Sequence, residues 1–322
     1  MRHKGWMHRM RLWVATAVIS VCTSASAQEG TIVFTPQWKP QAQFAGYYVA
    51  EAKGFYREAG VKVRIQHPTG TQSSISYLRD GECQAAMFQL SQAMEIVDNG
   101  TPLVNILQTS MNNAMVIVSA TDRSPLTLKG ARVGIWSVGF WQLAVCMNIR
   151  ERMDYQWVPF AQNMNLFISG VLDATVAMSY NEYYLLMQAG IKMTDKNVYR
   201  FCDHGYNVQE DGVYMTRDFY EKHKEQARRF AQASRRGWEW AAAHPEEALD
   251  IVMQYVEQHA VATNRVLQRL MLKEVLRLQL DRDSRKREFR LRPDMVQLAN
   301  KLMTECQLLS REITYEELKA DE

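Results

Sequence analysis

The sequence predicts a two-lobed α/β protein, each lobe a mostly parallel sheet flanked by helices, with the second lobe inserted into the first. Three observations predict it. Strand and helix patterns alternate from residue 31 to 118, the alternation restarts after Thr121, and the chain then returns through a short run at 212–216 before turning helical to its end. Such alternation belongs to strand–helix repeats that bury a parallel sheet between helices. The two crossings, near Ala120 and near Val208, leave one hinge, so the expected division is a first lobe of 28–119 and 209–322 and an inserted lobe of 120–208.

In the first lobe, Thr31 to Phe34 is an apolar strand, and Trp38 to Val63 (WKPQAQFAGYYVAEAKGFYREAGVKV) reads as a loop, an amphipathic helix and the start of a second strand. Val61, Val63 and Ile65 alternate, as one covered face requires. Ser73 to Arg79 is a short helix stopped by Asp80-Gly81. Ala85 to Phe88 is a buried strand, Gln92 to Asp98 a helix closed at Asn99-Gly100, and Leu103 to Leu107 and Met115 to Val118 are strands.

The inserted lobe repeats the scheme. Arg132 to Trp136 is a strand, Phe140 to Arg152 a helix, Gln156 to Val158 a strand, Asn163 to Ser169 a short helix and Ala174 to Tyr180 a strand. Asn181 is placed to N-cap the helix Glu182 to Gln188, which ends at Gly190; Val198 to Phe201 is the last strand of this lobe. After Gly212 to Thr216, the segments Asp218 to Ala243, Pro245 to Gln258, Thr263 to Leu280 and Pro293 to Leu309 carry apolar residues at helical spacing, with Pro245 and Pro293 in first-turn positions where a missing N–H is harmless.

The N-terminus reads as an export signal. Arg2, Lys4, Arg9 and Arg11 precede a short apolar run from Leu12 to Val21, and Ala25-Ser26-Ala27 forms an A-x-A cleavage site before Gln28. The run is too short for a transmembrane anchor, which needs about 20 residues, and Val21 is too bulky for a lipoprotein site at Cys22. The leader holds four of the 38 basic residues and no acid, which leaves 34 basic against 35 acidic groups in the mature chain. That near-neutral balance argues against a polyanion partner: the one dense basic stretch, Arg282 to Arg292, lacks aromatic interleaving beyond Phe289 and reads as a solvated connection between helices, so no nucleic acid is expected.

Cys83, Cys146, Cys202 and Cys306 lie more than 50 residues apart. No metal-ligand or C-x-x-C spacing exists among them, so neither metal nor cofactor is expected. Cys83 and Cys146 sit in apolar runs that suit buried free thiols.

Ligands of open α/β sheets gather where strands give way to helices. Five such turns supply candidates. Trp38 lies between Pro36 and Pro40, where an indole can stack on a flat ring or wedge between helices; Gln43 and Tyr47 follow one and two turns on. Thr71 and Gln72 enter the second helix, where an anion or a ring oxygen is attracted. Trp136 and Trp141 flank the matching turn of the inserted lobe, either as a ring platform or as core. Tyr180 and Glu182 end a buried strand and open a helix, and a carboxylate there can accept from an amino-substituted ring edge or simply answer the helix dipole. Tyr206 and Asp211 lie at the return hinge, Asp211 as ligand contact or turn residue and Gly212 as a conformational glycine.

The Trp38–Val63 stretch resembles the opening of periplasmic solute-binding proteins of the thiamine-pyrimidine-precursor type, relatives of the sulfonate and nitrate binders, and the resemblance extends from Thr31 to about Lys319, with TYEELK similar to the closing helix. It implies a type II periplasmic-binding-protein fold, an aromatic cover at Trp38, ligand contact at the Asn181-Glu182 pair and a cleft lined by the Asp211-Gly212 segment. The glycine- and serine-rich turn that many sulfonate and nitrate relatives carry is replaced here by Trp136-Ser137-Val138-Gly139-Phe140-Trp141, which disfavours an oxyanion and favours a flat ring. The implied function is capture of a pyrimidine precursor of thiamine in the periplasm and its delivery, as a monomer, to an ABC permease of the inner membrane. A receptor kinase would use the same pocket. Fungal pyrimidine synthases share the fold, but the scattered cysteines, and His67 and His204 without neighbouring ligands, lack the iron-holding cluster that such an enzyme needs.

Overall fold

The computed structural model describes residues 30–69, 72–137, 139–160 and 164–321. The leader at 1–27 and Thr71 lie outside the described residues. In the first lobe come β1 (Ile32–Thr35), α1 (Ala45–Ala52), α2 (Phe55–Glu58), β2 (Val63–Ile65), α3 (Ser74–Arg79), β3 (Ala85–Gln89), α4 (Leu90–Asp98) and β4 (Leu103–Gln108). The second holds β5 (Met115–Ser119), β6 (Arg132–Trp136), α5 (Gln142–Arg150), β7 (Gln156–Phe160), α6 (Asn165–Ile168), β8 (Ala174–Met178), α7 (Glu182–Gln188) and β9 (Val198–Arg200). The chain returns through β10 (Asp211–Thr216) and continues with α8 (Arg217–Lys222), α9 (Lys224–Ala243), α10 (Pro245–Gln258), α11 (Arg265–Leu278), α12 (Pro293–Glu305) and α13 (Tyr315–Leu318).

The two sheets share one plan. Their orders are β2-β1-β3-β10-β4 and β7-β6-β8-β5-β9, and in each the fourth strand alone runs antiparallel. That odd strand is the one that has just arrived from the other lobe. The first crossing therefore spans 109–114, ahead of the expected hinge near Ala120, and β5 belongs to the second sheet. The second crossing, between β9 and β10, brackets Val208. Inner strands such as β3 and β8 are buried on both faces and read as unbroken apolar runs, whereas the edge strands β2 and β7 are half exposed.

Several boundaries differ from the pattern for local reasons. The expected helix at 218–243 breaks at His223 into α8, capped by Thr216, and α9. The first helix breaks at Gly54, whose φ of +76° only glycine adopts freely. Asn181 occupies the N-cap position of α7 without capping it, because its amide is engaged with Glu182. Gly212 is required for space and not for conformation: a Cβ there would stand 2.5 Å from Asn105 Nδ2 and 2.6 Å from Gln108 Oε1. Pro245 and Pro293 do open α10 and α12.

The C-terminal helices wrap both lobes. α1 packs closely on α9, with Gly237 against the Gly46 carbonyl, and α12 lies against both α4 and α5. The stretch Arg282 to Arg292 is the connection between α11 and α12, its arginines paired to Asp203, Glu288, Asp281 and Asp294. All four described cysteines are free thiols. Among the described residues no helix is long and apolar enough to cross a membrane, and no three His, Cys, Asp or Glu side chains are grouped to hold a metal.

Candidate functional site

The antiparallel strand of each sheet begins level with the carboxyl ends of its parallel neighbours. Asp211, first in β10, pairs with Gln89, last in β3; Met115, first in β5, pairs with Met178, last in β8. Strand ends, crossings and helix starts thus converge on a cleft between the lobes.

The first-lobe wall is the turn after β1. His67 fixes it: Nδ1 donates to the Trp38 carbonyl at 2.6 Å, so Nε2 accepts from the Tyr48 hydroxyl at 2.8 Å. Burial pushes the His67 pKa down to about 4, so the ring is neutral. Behind Trp38 runs a chain of amides. Gln41 Nε2 donates to Gln43 Oε1 (2.7 Å), Gln43 Nε2 to Asp211 Oδ2 (2.8 Å) and Gln37 Nε2 to Asp211 Oδ1 (2.6 Å). Burial raises the Asp211 carboxyl to about 6 against the pull of those two amide donors.

The second-lobe wall is aromatic above and acidic below. Phe140, in the turn before α5, lies edge-on to both Trp136 (5.9 Å) and Trp38 (6.1 Å), so three rings cross the cleft from one lobe to the other. Glu182 opens α7, its Oε2 accepting from the Met178 N–H at 3.0 Å and its Oε1 from Asn181 Nδ2 at 2.9 Å. Burial raises its pKa, with the Met178 N–H opposing. The lobes also join through Gln142 Nε2 and Glu95 Oε2 at 2.6 Å.

These walls meet in a narrow, half-open cleft lined by Gln37, Trp38, Gln41, Gln43, Trp136, Phe140, Met178, Tyr180, Asn181 and Glu182. No Lys, Arg or His is among them. Behind lies a smaller inner chamber, with space for little more than a water, that shares Gln43 and Tyr180 and is completed by Thr109, Ser110, Glu210, Asp211, Trp238, Val275, Leu278 and Gln279.

Of the residues expected from sequence, Trp38, Gln43, Trp136, Tyr180, Glu182 and Asp211 come together here. Four others do not line either chamber. Tyr47 is fully buried against Phe34 and Trp238, one helical turn behind Gln43. Trp141 follows Phe140 around the turn and is half-buried against the core. Tyr206 is buried against Phe201 with the Arg150 guanidinium over its ring. Gln72 is exposed ahead of α3. The sequence reasoning missed Gln37, Gln41 and Phe140, although the glutamine spacing in PQWKPQAQ was a usable signal. It also missed Glu210, Trp238 and Gln279, which sit on an antiparallel crossing and on C-terminal helical elements, away from strand-to-helix turns.

A family model described as NMT1/THI5 like matches residues 41–248. The formylaminopyrimidine-binding protein of Halalkalibacterium halodurans is 23% identical over 257 residues, 75% of this chain and 77% of that protein. The riboflavin-binding protein RibY of Chloroflexus aurantiacus is 25% identical over 257 residues, 74% of this chain and 69% of that protein. Among solved structures, the periplasmic aliphatic sulphonate-binding protein SsuA of Escherichia coli superposes with a TM-score of 0.64 at 12% identity, covering 91% of this chain and 92% of that one. The fold is therefore the two-lobed periplasmic-binding-protein fold.

Proposed function

The chain belongs to the NMT1/THI5-like family, and on that premise we propose that it is an exported solute-binding protein that captures a small heteroaromatic ligand, a pyrimidine precursor of thiamine, for an ABC importer. The observation that carries this reading is the composition of the cleft: three aromatic rings face amides and a carboxylate, with no cationic side chain lining it. Rings offer a flat solute its stacking surface, while Glu182 and the amides suit a ring edge rich in N–H groups. A sulfonate would need donors of positive charge, and the cation that acts on Glu182, Lys39 beside Trp38, stands outside the lining residues. The narrow chambers favour a single ring over a flavin.

No catalytic step is required. Ligand held by one lobe gains contacts from the other, so closure is favoured only by that differential affinity, and a permease in the inner membrane reads the closed shape. Export follows from the leader, and the partner from the kinship with binding proteins. The test is mass spectrometry of small molecules released from gently purified protein, followed by calorimetric titration with an aminopyrimidine, riboflavin and an alkanesulfonate. Recovery and tight binding of the pyrimidine alone is expected; tight sulfonate or flavin binding without pyrimidine binding overturns the reading.

A further inference from the structure

Cys146, in the middle of α5, and Cys306, which closes α12, lie 160 positions apart in the chain and meet at one helix contact. Both are buried. The Cys146 thiol donates to the Leu302 carbonyl, one turn before Cys306, at 3.5 Å, and the Cys306 thiol donates to the Cys146 carbonyl at 3.6 Å. Each sulfur thus points at the other residue's helix, as a cross-link without backbone movement demands. Oxidation leaves the Leu302 carbonyl satisfied, because it also accepts from the Cys306 N–H at 3.2 Å.

The contact joins the two lobes. α5 belongs to the inserted lobe, whereas α12 packs on α4 of the first lobe, and the segment after α12 is tied there: Asp98 of α4 accepts from the Ser310 N–H at 2.8 Å and from its hydroxyl at 2.7 Å. Asn300 Nδ2 donates to the Ile313 carbonyl at 2.6 Å, ahead of α13, which packs on β4. Arg150 and Glu305 pair across the same contact, and the Arg150 guanidinium stands over Tyr206 in the second crossing. A bond here would hold the lobes together beside the hinge.

We propose that Cys146 and Cys306 are a modification site, a thiol pair that oxidises to a disulfide and latches the inserted lobe to the first. The oxidant is a disulfide, either of low molecular weight or of a protein oxidoreductase. One cysteine sulfur attacks it, forming a mixed disulfide and releasing one thiol; the second cysteine sulfur attacks the protein-bound sulfur and releases the other. Two protein thiols lose two electrons to the oxidant, and their protons pass to the two released thiols. Burial, and then the charge of Cys306, push the Cys146 thiol up, so the step belongs to the folding chain, before the helices close over it. Its occurrence in the cell rests on the export part of the functional reading, and ring binding does not enter.

The test uses ligand-free protein. Exported protein digested without reductant should yield, by mass spectrometry, the peptide linked through Cys146 and Cys306, and reduced protein refolded in a glutathione redox buffer should yield the same, with Cys83 and Cys202 still reactive to maleimide in denaturant. Reduction should lower the melting temperature by about 5 °C or more, since it frees a long loop of the unfolded chain. Hydrogen exchange in the turn before α5 should be at least threefold slower in the oxidised than in the reduced protein, because the latch lowers the open population. Cys146→Ala and Cys306→Ser should each exchange like reduced wild type; should either fail to fold, mapping and reduction of the wild type carry the test. No link in the refolded protein, or a link to Cys83 or Cys202 in its place, overturns the inference, and a link that leaves exchange unchanged overturns the latch. A link in the refolded but not in the exported protein bears out the site and counts against export alone.

Discussion

Trp38 shows how one side chain is made available without being part of the core. Its backbone is pinned by His67 while its ring remains only half-buried and touches Phe140 of the opposite lobe edge-on. Trp38→Ala should therefore weaken pyrimidine binding by about 1 to 3 kcal/mol, the value of a lost aromatic contact, with a much smaller fall in stability. Titration and a melting curve check both halves; unchanged affinity with a large stability loss would make the residue structural. Glu182 behaves differently, because both its oxygens already serve the protein. Replacing it by Gln turns one acceptor into a donor facing a donor, so affinity for an aminopyrimidine should fall tenfold to a hundredfold, the worth of a charged hydrogen bond of about 1.5 to 3 kcal/mol. The same change should leave alkanesulfonate binding unchanged or improved, which titration of both proteins decides. The places of these two residues and of Asp211 were legible because Trp38 lies in the turn after β1, Glu182 starts α7 and Asp211 starts β10. Tyr47 was not, since a tyrosine on an amphipathic helix gives no sign of which neighbour will cover it.

At the level of elements, the turn after β1 is braced by the segment after β2, and the brace titrates. His67 has a folded pKa of about 4 against an ordinary value near 6.5. The folded state then binds fewer protons than the unfolded chain between those values, so the His67 contribution is fully present above pH 6.5 and is lost as pH falls toward 4. Asp211, raised from 3.8 to about 6, has the opposite slope in an overlapping window, because its folded form holds the proton longer. A difference measurement isolates the histidine: His67→Gln should show a shallower loss of stability than wild type between pH 6.5 and 4.5 in urea unfolding. Equal slopes would mean that His67 is solvated. Helix starts at Pro245, Pro293 and Glu182 were readable from residue type alone, whereas the break at His223 and the close packing of Gly237 on Gly46 depend on what the helix meets.

In the whole molecule the two lobes touch across the cleft, as the closed form of the proposed clamp requires. Besides the Trp38–Phe140 contact, Gln142 of the second lobe donates to Glu95 of the first, and Arg150 pairs with Glu305 of α12. Contacts of this kind exist only when the lobes are together, so they bias the closed population without touching the ligand. Gln142→Ala should accordingly speed ligand release and weaken affinity about threefold to tenfold, while leaving the ligand preference order unchanged. Stopped-flow dissociation measures the first, and a changed preference order would place Gln142 in the pocket instead.

The sequence by itself determined the two strand–helix repeats, the double crossing and the aromatic character of the turn at Trp136 to Trp141, because each is written in local spacing and side-chain type. The tertiary structure alone decided that β5 joins the second sheet, that Tyr47 and Tyr206 are core, and that Glu210 and Gln279 share a chamber. Those outcomes depend on which strand inserts between which neighbours and on where α9 and α11 come to rest, and residues 69 positions apart carry no local trace of being brought face to face.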